Sequence, residues 1–281
     1  MLSLAMPAPT QLSHPGFAHA LRGEGQRGFV LYEGFSDRAT GDSMLGDVVT
    51  IARDAAASRD VSPAFVMKES QPGFSGDAPE DLISKIFRLH RRGPFRRFLE
   101  DPRVVAILVD ALGPDVDCFL SQFIFKNPGA WGQPWHQDSY YFHFEPARPI
   151  VGLWLAISEA TLENGCLHVL AGSQMEPLKR HVPDERPGSL YGYVEIADHD
   201  MSDAQPCLLA PGDLLVFDSH LMHRSTDNLS NGIRAAMVWH FSRTGTIDLG
   251  ADFGDGVLRK SPVNDWVPVV RGGAPVRGEN H

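Results

Sequence analysis

PGDLLVFDSHLMH, residues 211–223, holds a turn, an apolar run and two histidines in one short stretch. Pro211, Gly212 and Asp213 signal a tight turn, and the four apolar residues from Leu214 to Phe217 that follow read as a strand. The same texture recurs on both sides. From about residue 116 onward, short apolar runs separated by turn signals occupy residues 117–125, 149–157, 166–170 and 234–241. Such spacing predicts an antiparallel sandwich or barrel.

Upstream the pattern is different. Residues 15–21 and 43–57 read as helices, the second with Leu45, Val48, Val49, Ile51 and Ala52 on one stripe, while residues 28–33 read as a strand. Residues 80–90 and 95–99 also read as helical and carry a basic cluster of Arg88, His90, Arg91, Arg92, Arg96 and Arg97. This cluster is either a solvated face or an anchor for an acidic substrate. Between these segments, residues 69–79 form a Gly-, Ser- and Pro-rich loop, a connector or a lid. The expectation is an all-β core with helical decoration in a single domain over 1–281. Its helical part covers about 1–115, the core about 116–243 and an irregular tail 244–281.

Composition bounds the function. With 43% hydrophobic and 21% charged residues, the 281-residue chain has enough apolar content to bury a core and too much for a disordered segment. No apolar run approaches the length of a membrane span. Lys and Arg number 25 against 35 Asp and Glu, a net charge of −10, which argues against nucleic acid as a partner. Cys118, Cys166 and Cys207 are an odd number with no CxxC spacing, so neither a disulfide framework nor a thiolate zinc site is indicated. A reducing, cytoplasmic setting fits, and prolines 7, 9 and 15 break any secretory h-region near the N-terminus.

His136-Gln137-Asp138 is the only His-x-Asp in the chain. A chain with 12 histidines contains about one such tripeptide by chance, so its value depends on context. On a strand, residues i and i+2 share a face, which would present the imidazole and the carboxylate together. A further histidine facing the same interior completes a two-His-one-carboxylate triad, the set that leaves open positions on non-haem Fe(II). His220 and His223, at the end of the 214–217 strand, are the two candidates.

Several separated motifs carry a resemblance. IFKNP (124–128), WHQD (135–138), GLWLAISEATLENGCL (152–167), AGS (171–173) and PGD (211–213), in this order, resemble the phytanoyl-CoA dioxygenase family. The family closes on a metal histidine, a serine two residues later and an arginine eleven residues after the histidine. His223, Ser225 and Arg234 match that pattern, whereas counting from His220 reaches Met222 and Asn231. The likeness is strong over residues 116–243 and weaker over 28–35 and 82–90. AGSQ (171–174) departs from the family, which often has Pro before the glycine and His after the serine.

The resemblance implies a double-stranded β-helix, a cupin-like jelly roll flanked by N-terminal helices, that binds Fe(II) through His136, Asp138 and His223 and uses 2-oxoglutarate and O2. It implies hydroxylation of a small molecule with release of succinate and CO2. It also implies that Arg234 and Ser225 hold the distal carboxylate of 2-oxoglutarate and that Trp154, Gln122 and Lys85 line its pocket. A planar guanidinium suits a carboxylate in a way that Lys does not reproduce. Trp154 is equally a core aromatic, and Gln122 a strand residue with a satisfied amide. Asp138 argues against the halogenating relatives, in which a small residue stands there. A CoA thioester, an amino acid or a secondary metabolite all remain open as substrate. Two rival functions are a non-catalytic, cupin-like metal- and 2-oxoglutarate-binding or sensory protein and a zinc hydrolase. The hydrolase needs a general base that the sequence does not offer.

Overall fold

The computed structural model describes residues 3–4, 27–189, 193–252 and 258–278; the helix expected over 15–21 lies outside them. The strands that build the framework are β1 (Phe29–Tyr32), β2 (Phe65–Lys68), β3 (Ile83–Phe87), β4 (Val116–Lys126), β5 (Ile150–Ala156), β6 (Leu167–Val169), β7 (Gln205–Cys207), β8 (Leu214–Asp218), β9 (His223–Ser225), β10 (Arg234–Arg243) and β11 (Val267–Arg271). The larger sheet runs β1-β8-β5-β10-β4, all antiparallel neighbours. The far edge of β4 is shared: β3 pairs with Gln122–Ile124, and β11 pairs near Val116 and Cys118. β2 then adds to β3. The smaller sheet is β7-β6-β9, and an antiparallel bridge from His136 to His223 continues it past β9.

Residues alternate across the larger sheet, and each face has its own apolar partner. Trp154, Ala156, Leu215, Phe217, Ala236 and Val238 face the smaller sheet and pack with Leu167, Val169, Cys166, Cys207 and Leu209. Leu153, Leu155, Val216, Met237, Trp239 and Phe241 face the other way and pack under three helices. These are α1 (Arg38–Ala56), α2 (Gly93–Leu99) and α3 (Pro102–Leu112). Two antiparallel sheets closed around an apolar interior, with helices covering one outer face, make the expected jelly roll. Burial on both faces explains why β5, β8 and β10 read as continuous apolar runs and not as alternating ones.

The region before residue 116 differs from its mainly helical reading, because it supplies β1, β2 and β3 to the larger sheet. The segment read as a helix over 80–90 is one turn of 3₁₀ helix, Pro79–Leu82, followed by β3. All five β3 residues are buried, so no alternation betrayed the strand. α1 begins five residues earlier than expected, where Asp37 caps it by accepting from the Thr40 amide at 2.8 Å. α3, which the sequence reading passed over, has Asp101 at its N-cap and proline in its first turn. The tail is not wholly irregular, since β11 joins the sheet. The basic cluster holds that tail in place: Arg91 pairs with Asp265, and buried Arg96 donates to the carbonyls of Pro268 and Val276. No helix among the described residues is long and apolar enough to cross a membrane.

Candidate metal and anion site

The site is built on the interior face of β10 and its neighbours. Ala236 and Val238 lie on that face, so the two-residue period places Arg234 and His240 on it as well, about 20 Å apart along the strand. Each marks one end of the site.

At the His240 end, His136 and His223 are joined by reciprocal backbone hydrogen bonds of 2.9 and 3.0 Å. The smaller sheet thus sets the two imidazoles side by side, with ring centroids 4.2 Å apart. Asp138 is not on a strand, as the sequence had suggested; it opens a 3₁₀ turn, Asp138–Tyr141, immediately after the bridge. That turn still aims its carboxylate at the histidines. Oδ1 lies 3.4 Å from His136 Nε2 and 3.7 Å from His223 Nε2, and one ligand atom from each of the three buried residues falls within 4.8 Å of the others. His220 stays outside the group; its carbonyl accepts from the Gln137 side chain at 2.9 Å.

The protonation pattern follows from the partners. His136 Nδ1 is 2.8 Å from the Pro134 carbonyl, and His223 Nδ1 is 2.9 Å from the Leu221 carbonyl. A carbonyl only accepts, so each Nδ1 carries the proton and each Nε2 turns a lone pair inward. Burial, reinforced by the neighbouring His136, pushes the His223 imidazole down to about 4, which favours this neutral form. Burial alone would raise the Asp138 carboxyl, but the surrounding histidines more than offset it and hold it well below the usual range.

His240, absent from the sequence reading, completes this end. Its Nε2 lies 2.7 Å from Asp138 Oδ2, which leaves Oδ1 to face the two ligand histidines. Phe119, Phe142 and Phe217 surround its ring at centroid distances of 5.3 to 6.1 Å. The adjacent Gly152 is required by packing, because a Cβ there would stand 2.3 Å from the Phe217 ring.

At the opposite end, register brings the remaining candidates together. Lys126 lies opposite Arg234; Ile124, Ala236 and Ala156 form the next row; Gln122, Val238 and Trp154 form the one after. Lys85 on β3 is the partner of Ile124 and so joins the same face. The side chains in the row between, Ala156 and Ala236, are small. Arg234 is almost wholly buried and stands 5.6 Å over the Trp154 ring. Its Nε and Nη1, and the indole Nε1 of Trp154, are buried without a hydrogen-bond partner. Burial lowers the guanidinium to about 10, yet it remains a cation at neutral pH. Gly165, at φ +82°, lets the chain pass close by, where a Cβ would stand 2.3 Å from the Thr226 carbonyl.

Lys85 and the metal end are connected through one side chain. Lys85 Nζ donates to Gln133 Oε1 at 3.4 Å, and the amide nitrogen of Gln133 donates to His136 Nε2 at 3.0 Å. Around this mouth, Tyr141 stands 5.9 Å from the His136 ring, Tyr140 stacks on His181, and Tyr193 lies under Lys85. Phe142, the next residue along the chain after Tyr141, is turned into the core instead. The 69–79 loop rests on the approach to His136, where the Gln71 amide bridges the Gly129 carbonyl and the Trp131 N–H.

Two imidazoles and one carboxylate, buried and converging on one point, form a donor set for a divalent transition metal such as iron. The unpartnered guanidinium and indole N–H groups form an equally clear place for an anion, because buried donors are ordinarily satisfied.

Comparison with known proteins gives the family and the fold. Residues 25–236 match the model of the family described as Phytanoyl-CoA dioxygenase (PhyH). The chain is 35% identical over 171 residues to a Rattus norvegicus protein named phytanoyl-CoA dioxygenase domain-containing protein 1, covering 58% of each chain. It is 31% identical over 183 residues to the peroxisomal phytanoyl-CoA dioxygenase of the same organism, covering 63% of this chain and 54% of that one. The chain therefore spans between 54% and 58% of the length of these two relatives. Among solved structures, the epimerase SnoN in complex with Fe3+, alpha-ketoglutarate and a nogalamycin compound superposes with a TM-score of 0.64 at 18% identity, covering 97% of this chain and 98% of that one. EctD from S. alaskensis gives 0.64 at 18% identity, covering 98% and 90%. At such identity the likeness is one of fold.

Proposed function

Because the chain belongs to the phytanoyl-CoA dioxygenase family, the match extending over about three quarters of its length, we propose that it is a non-haem Fe(II)- and 2-oxoglutarate-dependent dioxygenase that hydroxylates a C–H bond of a small molecule. The observation that carries this reading is the pairing of the His136, Asp138 and His223 cluster with an unpartnered buried Arg234 on the same interior face. One gives the metal a place, the other an anion. A hydrolase or a purely structural metal site would have no use for the second.

His136 Nε2, Asp138 Oδ1 and His223 Nε2 would hold iron(II) on one side, leaving its other positions open. When bound, iron would let O2 act as the oxidant, one oxygen atom passing into succinate as 2-oxoglutarate loses CO2 and the other into the substrate C–H bond. The chain's own contribution is positioning and shielding. Arg234 and Ser225 take the far carboxylate, Trp154 and Gln122 wall the pocket, and Lys85 holds the Gln133 amide, which would release the His136 Nε2 lone pair to the metal. His240 holds one Asp138 oxygen so that the other points inward. The Tyr140, Tyr141 and Tyr193 rings line the approach for a substrate. Three free, buried cysteines support a reducing, cytoplasmic setting.

The test is an anaerobic titration of the purified chain with Fe(II) and 2-oxoglutarate, followed by exposure to O2. The expected result is a visible charge-transfer absorption that needs both additions, then succinate formation. Binding of both without succinate under any substrate screened would favour the sensory alternative; absence of the absorption would refute the proposal.

A further inference from the structure

Lys126 sits in the anion pocket and is assigned nothing by the reading above. It is buried at the end of β4, directly across the sheet from Arg234. Its ammonium donates to Ser225 Oγ at 2.8 Å and to the Thr226 carbonyl. Among the described residues no carboxylate lies within ion-pairing distance of Lys126 or Arg234. Asp227, the acid whose charge acts on Lys126, is engaged elsewhere: it accepts from the Gly132 amide at 2.6 Å and faces Arg186. Two basic side chains therefore share one buried pocket with no carboxylate paired to either among the described residues, an arrangement that a protein tolerates when a ligand supplies the anion.

Ser225 sharpens the geometry. Its oxygen accepts from Lys126 Nζ and also from the Gln133 backbone N–H at 3.1 Å. Both lone pairs are then in use, so the hydroxyl hydrogen points away from both donors, and among the described residues no acceptor receives it. We propose that Lys126 is the second cation of this pocket, sharing the distal carboxylate of 2-oxoglutarate with Arg234 and fixing Ser225 so that its hydroxyl donates to the same carboxylate. The inference rests on the functional reading given above and extends it: two cations select a keto acid carrying a second negative charge over one that lacks it. Burial and the adjacent Arg234 push the Lys126 ammonium well below its ordinary range, and a carboxylate bound between the two side chains would draw it back up.

The competing role is structural, a clamp tying β4 to the chain after β9. Calorimetric titration of the Mn(II)-loaded full chain with 2-oxoglutarate and with 2-oxobutyrate, which keeps the keto acid but lacks the distal carboxylate, separates the two. Lys126→Met should weaken 2-oxoglutarate about thirtyfold, within the range of a charge-assisted hydrogen bond. It should leave 2-oxobutyrate within about twofold of wild type, and thermal unfolding without ligand should show no loss of Tm, because an uncompensated buried charge has been removed. Lys126→Gln, which can still donate to Ser225 and Thr226, should lose selectivity in the same way and serves if the Met variant fails to fold. Wild-type affinity in Lys126→Gln, or a lowered Tm with unchanged selectivity in Lys126→Met, would overturn the assignment of Lys126 alone. Failure of the wild-type chain to bind 2-oxoglutarate would instead overturn the functional reading beneath it.

Discussion

The two ends of the interior face satisfy their polar atoms in opposite ways. Around His136, Asp138 and His223, the protein orients every ligand: two carbonyls fix the ring tautomers and His240 takes the spare carboxylate oxygen. Around Arg234, two guanidinium nitrogens and an indole N–H stay unpartnered. The first end is organised by the fold before any ligand arrives. The second is left by folding with buried donors still unpartnered, at a cost in electrostatic energy.

Substitution tests that contrast most directly. His223→Ala should abolish iron binding and turnover, whereas His220→Ala should retain much of both, as read by anaerobic metal titration. The reverse outcome would assign the ligand to the wrong histidine. Next in size, Arg234→Ala should raise the KM for 2-oxoglutarate by about a hundredfold or more, in keeping with loss of a charge-assisted, two-point contact, while Fe(II) affinity stays near wild type. An unchanged KM would remove Arg234 from the pocket. Smaller again, His240→Leu should weaken metal binding roughly tenfold to a hundredfold, as loss of an outer partner of a ligating carboxylate does elsewhere. His240→Gln, whose amide can donate to Asp138 Oδ2, should recover part of that loss. Equal defects in the two variants would mean that His240 acts through packing.

A weaker effect belongs to neither end and so calibrates the others. Burial depresses the His90 imidazole to about 4, with its Nδ1 and Nε2 engaged by Ser121 and the Asp265 carbonyl. The unfolded chain then binds a proton that the folded chain refuses. Stability should therefore be fully present above pH 6.5 and decline as the pH falls from about 6.5 toward 4. His90→Asn should flatten that slope in urea unfolding measured across the interval, without altering iron or 2-oxoglutarate binding. A slope as steep as wild type would place the acid sensitivity elsewhere.

The candidate site residues were legible in the sequence because the family resemblance carries fixed offsets. His136 and Asp138 form one spaced pair and His223, Ser225 and Arg234 one spaced triplet, and the structure brings the two sets onto one side of the larger sheet. His240 and Lys126 carry no such offset. Their signal was parity: counting by twos from Arg234 along β10 reaches His240, and counting by twos from Gln122 along β4 reaches Lys126. The β3 strand, and with it the setting of Lys85, was hidden for a different reason. A strand buried on both faces loses its alternation, and the acidic turn before it imitates a helix start. Asp138 reached the right place from an unexpected element, since a 3₁₀ turn following a bridge aims a side chain as effectively as a strand does.

The divided edge of β4 has a consequence for how the molecule comes into being. That one strand needs β10 on one side and both β3 and β11 on the other, partners drawn from residues 83–87, 234–243 and 267–271. Chain closure over such separations is slow, and topologies dominated by distant pairings fold in milliseconds to seconds. On the ribosome, β4 would emerge long before β10 and β11 exist, with an apolar edge left open meanwhile. Production of this protein should therefore depend on protection of a half-made sheet, and improve with slower synthesis or chaperone supply, well before any question of iron or substrate arises.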